Sequence, residues 1–545
     1  MSIVVIPARD EQDRIATCLE ALAGQSVGPD AFEVILVADA CVDATEARAR
    51  AAAERHSITL SILTGPGEGT GPARRLGMDA AAQRLRELGT ENGLIATTDA
   101  DTRPAPDWLE RQLAHIEDGA QVVAGLIQLR AADAAELPDA VLNHRAQDAA
   151  RRMEEVLVQD PEADHHHFAG ASLGITAATY AAVGGLEATP ALEDEHFAGR
   201  LAEHGVPVLR PHDVVVETAA RTDGRASRGL AVDLAVSSWR ERRRYRVEDF
   251  DELQRPAWIS GVTVIIPTRE CASTIAGVLE RAVAPVLARG WVDHVVVVDA
   301  NSGDDTAAIA AAAGARVIQQ DAVLPDFGPA QGKGDAMWRA LCLTQGDVVA
   351  FMDGDTADPV PEHLLGLLGP LFRHPEVQFV KGSFDRPLQA DGALLAHEGG
   401  RVTELTARPL LNLHFPLLAG FSQPLAGEFA ARRELLEQLA FPVGYGVEIA
   451  TLVDALAICG LDGLAECHLG TRQNRHQALR SLSEMSFAVL AAVERRLAGG
   501  RSTTAGQYLR PWEDGGYVRV PVAERPPLAS LQWACSVRDS ASAAP

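Results

Sequence analysis

Lysine is nearly absent from this chain. Lys333 and Lys381 are its two lysines, and arginine supplies the rest of its 49 basic residues. The trend reads as the mutational bias of a GC-rich genome; against that bias a retained lysine points to a specific role. Basic charge is short overall, since 75 acidic residues leave a formal net charge of −26. That excludes a general nucleic-acid binder, which needs a basic face. It also means that an anionic ligand must be received by a local cluster of Arg, Lys or metal, against the global field. The 7 cysteines form no CxxC pair, which argues against a disulfide framework or a zinc site. There is no apolar run long enough to span a bilayer, and the chain opens directly on an apolar strand with no basic region before it. A reduced, cytoplasmic setting is the expectation.

What is present is the composition of a folded protein, 47% hydrophobic and 23% charged. At 545 residues the chain is too long for one compact domain, and two are expected. The chain repeats itself once. SIVVIPARDEQDRIATCLEAL at the start is matched by GVTVIIPTRECASTIAGVLERA from Gly261. EVILVADACVDAT (33–45) is matched by HVVVVDANSGDDT (294–306), and GLIATTDADTRPAPDWL by DVVAFMDGDTADPVPEHL. Pro7 to Asp39 and Pro267 to Asp299 have the same spacing. The period, about 260 residues, is too long for a solenoid.

Strand and helix alternate in both copies, which predicts an α/β sandwich with a parallel sheet. Ligands in such sheets bind beyond the carboxyl ends of the strands. The loops there carry Asp39, Asp99 and Asp101 in the first copy, and Asp299, Asp353 and Asp355 in the second. Two carboxylates one residue apart at a strand end form a DxD pattern that can hold Mg2+ or Mn2+, both of which take oxygen ligands. The bland alternative is a solvated acidic turn. The recurrence of the pattern after an apolar strand in both copies favours the metal.

These blocks together resemble the nucleotide-sugar glycosyltransferases of GT-A fold. The resemblance implies two tandem GT-A-like, Rossmann-like domains of α/β class, over 1–240 and 258–500, with 241–257 as linker and 501–545 as a loop-rich tail. It places the nucleotide on the loops after the strands, with Asp39 or Asp299 near the base. The second copy is more specific. QGKGDAMWRAL, VKGSFDRPL, GGRVTELTARPLL, FSQPLAGEF, PVGYGVEIATLVD and LGTRQNRHQAL resemble the glucosyl-3-phosphoglycerate synthases and their mannosyl-transferring relatives. This implies retaining transfer of a hexose from a nucleotide sugar, UDP-glucose, to 3-phosphoglycerate. Pro267, Thr268, Glu270, Asp299 and Lys333 would hold the nucleotide. Asp353, Gly354 and Asp355 would hold its phosphates and the metal, with His476 as the imidazole ligand. Gly400, Arg401, Thr403, Arg472 and Asn474 would hold the acceptor. Glu448, Tyr445 and the backbone carbonyl of Leu425 would face the sugar.

Two departures stand out. The order Asn474, His476 reverses that of the glucosyl-transferring members and leaves mannose open as the donor sugar. PTRECAST replaces an Asn–Glu pair in the first loop, which weakens the transfer of a role to Glu270. In the first copy LEDEHFAGRL resembles the inverting members, with Asp194 as general base beside Glu193; the alternative is an acidic helix start favoured by the dipole. Arg74 and Arg75 occupy the glycine-rich segment that carries Lys333 in the second copy. DHHHFAGAS reads as a loop near the acceptor. A silent first copy serving as a binding module, and a sugar nucleotidyltransferase, are the competing readings; the latter needs a glycine-rich basic loop after the first strand, which both copies lack. No nucleic-acid partner and no membrane span are expected, and a homodimer is compatible with the sequence.

Overall fold

The computed structural model describes residues 1–90, 92–224, 227–386, 388–390, 393–395, 400–472, 479–501, 505–511 and 516–531. The chain divides into two units, Met1–Glu241 and Arg242–Pro545.

Among the described residues the first unit holds a six-stranded sheet. Its order in space is Thr59–Thr64, Phe32–Ala38, Ser2–Ala8, Leu94–Thr97, Leu173–Thr176, Val122–Ala124. The first four strands run parallel, and Leu173–Thr176 runs antiparallel to both its neighbours. Ser2–Ala8 is buried at every position, as its continuous apolar run requires when both faces of the sheet are covered. Alternate residues face opposite layers. Val4 and Ile6 pack with Ile15 and Leu19 of the helix Ile15–Ala23. Ile3 and Val5 pack with Met78 and Ala81 of the helix Thr70–Glu87. Each such aliphatic side chain contributes roughly 1.5–3 kcal/mol when taken out of water. Gly77 lets the second of these helices lie close, since a Cβ there would come 2.4 Å from Val5 Cγ1.

The second unit repeats this order with Arg316–Gln319, His294–Asp299, Val262–Thr268, Val348–Phe351, Phe429–Arg432 and Phe379–Asp385. Leu464–Thr471 and Arg244–Arg246 extend its far edge. Strand directions match as well. The pairing registers give a correspondence residue by residue. Val5, Thr97, Leu173 and Ala124 lie side by side across the first sheet. Ile265, Phe351, Phe429 and Lys381 do so across the second. The architecture is the pair of tandem GT-A-like α/β domains expected.

Two segments do more than their sequences suggest. The stretch 241–257 supplies the edge strand Arg244–Arg246 and the fully buried Phe250. Beyond residue 500, Glu524–Arg525 pairs with Phe441–Pro442, and Arg525 Nη2 donates to the fully buried Asp335 at 2.6 Å. Trp338 Nε1 donates to the Pro526 carbonyl at 2.9 Å. These partners lie far apart in sequence, so no local pattern announces them.

Candidate active sites

Each candidate site begins where the first two strands finish. Asp39 is buried; its carboxylate accepts from the backbone N–H of Gly67 (2.6 Å) and Gly69 (3.1 Å). Asp299, equally buried, accepts from Ser302 N (2.9 Å) and Ser302 Oγ (2.6 Å), and Thr268 Oγ1 lies 3.3 Å away. The loops after the first strands share a shape. Asp10 and Glu270 both have φ of 53° and both accept a backbone N–H from the next loop, Val42 and Gly303, at 2.8 Å. Glu270, whose role was uncertain from its motif, thus braces two loops. Gly354 sits where a Cβ would come 2.6 Å from Thr268 Cγ2, so glycine lets the DxD turn approach the strand carrying Pro267 and Thr268.

A cation then clamps two carboxylates in each unit, half-buried Lys333 in the second and buried Arg74 in the first. In the second, Lys333 Nζ donates to Asp353 Oδ1 (2.6 Å) and pairs with Glu448 Oε1 (3.0 Å). In the first, Arg74 Nη2 donates to Asp99 Oδ1 (2.7 Å) and Arg74 Nε to Glu193 Oε1 (2.9 Å). Arg74 Nη1 further donates to Thr97 Oγ1 and the Gly170 carbonyl. Burial works against charge on Lys333 and Arg74, but the paired carboxylates outweigh it and raise both pKa values. Burial also opposes the charge of Asp353, yet Lys333 and Arg472 hold its carboxyl well below the usual range.

The two clamps are not residue-for-residue copies. Gly71 and Gly334 are equivalent: a Cβ on either would meet a backbone carbonyl at 1.9 Å and the first residue of the facing helix, Glu193 or Val447, at 3.0 Å. Lys333 precedes Gly334, so its counterpart is Thr70. Arg74 lies one turn further along and reaches the same point. Arg75, grouped with it from sequence, is exposed and pairs with Asp79 at 3.5 Å. The same equivalence sets Asp194 opposite Glu448. In the first unit the cation takes Glu193 and leaves Asp194 over; in the second it takes Glu448 itself. Burial, then the neighbouring Glu193, push the Asp194 carboxyl up to about 6.

The second DxD carboxylate meets an arginine at the end of a later strand in both units. Arg221 Nε lies 3.3 Å from Asp101 Oδ2, and Arg221 Nη1 donates to Glu11 Oε1 at 2.8 Å. Burial pushes the Asp101 carboxyl up to about 6, with Arg221 opposing. Arg472 Nη2 lies 3.5 Å from Asp353 and 3.6 Å from Asp355, donates to Thr356 Oγ1 at 2.9 Å, and Nη1 binds Glu428. Arg472, which the resemblance places with the acceptor, is therefore engaged by the DxD turn. Asp355 is 73% exposed, so its oxygens stay open. Asp353 and Asp355 offer the hard oxygen donors at one strand end that Mg2+ or Mn2+ requires. Asn474 and His476 lie outside the described residues.

Gly400, with φ of +72°, turns the chain into the helical run that carries Arg401 and buried Thr403. The cleft beside that run measures about 710 Å³; Arg244, Arg246, Arg386, Arg408 and His468 line it. Arg408 is held by Glu404 at 2.8 Å and Arg244 by Glu466 at 3.1 Å. Arg386 Nε has no hydrogen-bond partner. Its motif is visible in the sequence, but nothing local distinguishes this arginine from the others. Tyr445 is half-exposed before the helix Val447–Cys459, and Leu425 is half-buried. In the first unit a cleft of about 470 Å³ is bordered by Asp39, Arg74, Asp99, Asp101 and Asp194. The triple histidine runs into its wall. A ring nitrogen of His165 lies 3.3 Å from the Pro211 carbonyl and the other accepts from His167 N. Burial lowers His165 to about 4 and His167 to about 3, so both are neutral packing groups.

The family model for glycosyl transferase family 2 matches residues 3–168 and 263–419. The glucosyl-3-phosphoglycerate synthase of Mycolicibacterium smegmatis is 42% identical over 276 residues, covering 50% of this chain and 90% of the relative. The crystal structure of mannosyl-3-phosphoglycerate synthase from Rubrobacter xylanophilus aligns at 40% identity with a TM-score of 0.48, over 54% of this chain and 97% of that one. Glucosyl-3-phosphoglycerate synthase from Mycobacterium tuberculosis, solved with Mn2+, UDP-glucose and phosphoglyceric acid, aligns at 37% identity with a TM-score of 0.44, over 49% of this chain and 90% of that one. No helix among the described residues is long and apolar enough to cross a membrane.

Proposed function

The chain belongs to glycosyl transferase family 2 in two separate regions and is a glycosyltransferase; we propose that its second unit moves glucose from UDP-glucose to 3-phosphoglycerate with retention, and that its first unit performs a second, inverting transfer. The observation that carries the first part is the 42% identity over 276 residues to a glucosyl-3-phosphoglycerate synthase.

In the second unit Pro267, Thr268 and Asp299 receive the nucleotide at the strand ends. Lys333 opens the helix Lys333–Leu343, so its ammonium and the helix N-terminus both favour a diphosphate. Asp353 and Asp355, with His476 as the resemblance implies, would hold a divalent cation, which would supply positive charge to that leaving group. Arg401, Thr403 and the unpartnered Arg386 Nε receive phosphoglycerate, whose carboxylate and phosphate suit guanidinium forks. Glu448 is paired with Lys333 at 3.0 Å and is not left over as Asp194 is. Attack from the leaving-group face, with the proton passing to the departing phosphate oxygen, suits this arrangement, and catalysis is then mainly positioning and charge stabilisation. In the first unit the spare carboxylate exists. Asp194, raised to about 6, is poised as a general base, which supports inversion there.

The test is an assay of purified protein with Mg2+, 3-phosphoglycerate and a panel of nucleotide sugars, read by mass spectrometry. UDP-glucose should give a hexosyl-phosphoglycerate that chelation abolishes. Transfer from GDP-mannose alone would assign the other sugar, and pyrophosphate release from UTP and a sugar phosphate would replace the reading altogether. Arg401→Ala should raise the acceptor KM while UDP-sugar still binds; an unchanged acceptor KM would remove the acceptor assignment.

A further inference from the structure

The chain's two lysines lie near enough for each to feel the other's charge. Lys333 is the clamp described above. Lys381 stands in the strand Phe379–Asp385, fully buried, with its Nζ 5.1 Å above the Phe429 ring and without a hydrogen-bond partner. The charges that bear on it are Glu448 first, then Lys333, Asp353 and Arg386. A buried ammonium with no acceptor is costly, and nothing in the packing of the sheet calls for one. The equivalent strand position in the first unit is Ala124. There the multidentate Arg74 serves both carboxylates from separate nitrogens.

Lys333 differs from Arg74 in one respect that matters. Its donors radiate from one nitrogen, which already holds Asp353 at 2.6 Å and Glu448 at 3.0 Å, so any movement of that nitrogen toward a diphosphate loosens both contacts. Once it turns, Glu448, whose side chain is 8% exposed, would be a buried carboxylate stripped of its partner. Loss of a partner of that kind is strongly unfavourable. We propose that Lys381 is a positioning residue of the second unit: its ammonium is the waiting partner of Glu448, and takes that carboxylate over when Lys333 turns to the donor diphosphate. This rests on the reading of the second unit as a nucleotide-sugar site. Burial pulls Lys381 down to about 7, so the unliganded site can hold it without a full unpaired charge. Arginine, the chain's usual cation, would stay ionised there, which accounts for a lysine in a sequence that otherwise avoids it.

The scarcity of lysine makes the test direct. Protein labelled with ¹³C-lysine has two lysine side-chain resonances, assigned by Lys333→Met and Lys381→Met. UDP·Mg2+ and then GDP·Mg2+ are titrated in. Movement of both resonances, with the Lys381 titration midpoint rising by at least about one unit, a tenfold shift in its protonation constant, is the expected result. In Glu448→Gln the Lys333 resonance should still move and the Lys381 resonance should not. A Lys381 resonance that stays still in the native protein while Lys333 moves, or one that moves equally in Glu448→Gln, overturns this inference and leaves the nucleotide site standing. If neither resonance moves with either nucleotide, the nucleotide site falls and the inference with it. In the transfer assay Lys381→Met should lower kcat with little change in donor KM, a split that general loosening of the fold would not produce.

Discussion

The Asp101 and Asp194 carboxyls are both pushed up to about 6. On the proposal that Asp194 is the general base of the first unit, it must be ionised to accept a proton, and first-unit transfer should rise with pH through about 6 and level off above. Asp194→Asn should lower that rate by about 10²–10⁴ without altering second-unit product, as a product-resolved pH profile would show. Stability runs the other way. The folded Asp101 carboxyl, at about 6, lies above its ordinary 3.8, so the native state binds more protons than the unfolded chain between those values. Stability therefore falls as pH rises through that window, by at most about 3 kcal/mol from this group. Asp101→Asn should flatten this slope in thermal unfolding between pH 4 and 7. These carboxylates are legible in the sequence as a DxD and a Glu–Asp pair. Their shifted affinities are not, because burial and the Arg221 and Arg74 partners come from distant segments.

Two glycines show how the helices and turns around the second clamp are matched to it. A Cβ on Gly427 would sit 2.4 Å from Lys333 Nζ and 2.6 Å from an Asp353 oxygen, both ends of side chains that can move aside. Gly427→Ala should thus cost little stability while displacing the clamp, and lower transfer by at least about tenfold, since small misplacements at a reacting centre are expensive. A Cβ on Gly334 would sit 1.9 Å from the Pro442 backbone carbonyl, which cannot yield without moving a strand. Gly334→Ala should destabilise the unit by about 1–3 kcal/mol, seen in denaturant unfolding, before any kinetic effect is considered. Both strands of the DxD blocks are readable from their apolar runs. The correspondence of the two cations is not: a glycine-rich segment followed by a basic residue suggests Arg74 for Lys333, whereas helical pitch lets an arginine one turn later reach the spot where a lysine stands at the helix start.

The second unit as a whole depends on a segment that looks peripheral. Asp335 is fully buried between Arg339 at 2.9 Å and Arg525 at 2.6 Å. Arg525→Ala should destabilise the second unit by about 1–3 kcal/mol, since it removes two charge-assisted hydrogen bonds from a buried carboxylate that keeps Arg339; urea unfolding of the full chain would register the loss, and an unchanged midpoint would show the tail to be dispensable. By itself the sequence determined the duplication, the α/β class, the DxD pairs, Lys333 and the motifs of the second half, because these follow from local periodicity and short-range chemistry. Only the tertiary structure decided which carboxylate each cation takes, that Asp194 is left over while Glu448 is not, and that the two lysines lie near enough to feel each other's charge. Those outcomes turn on strand register and on contacts between residues many positions apart, which no local pattern encodes.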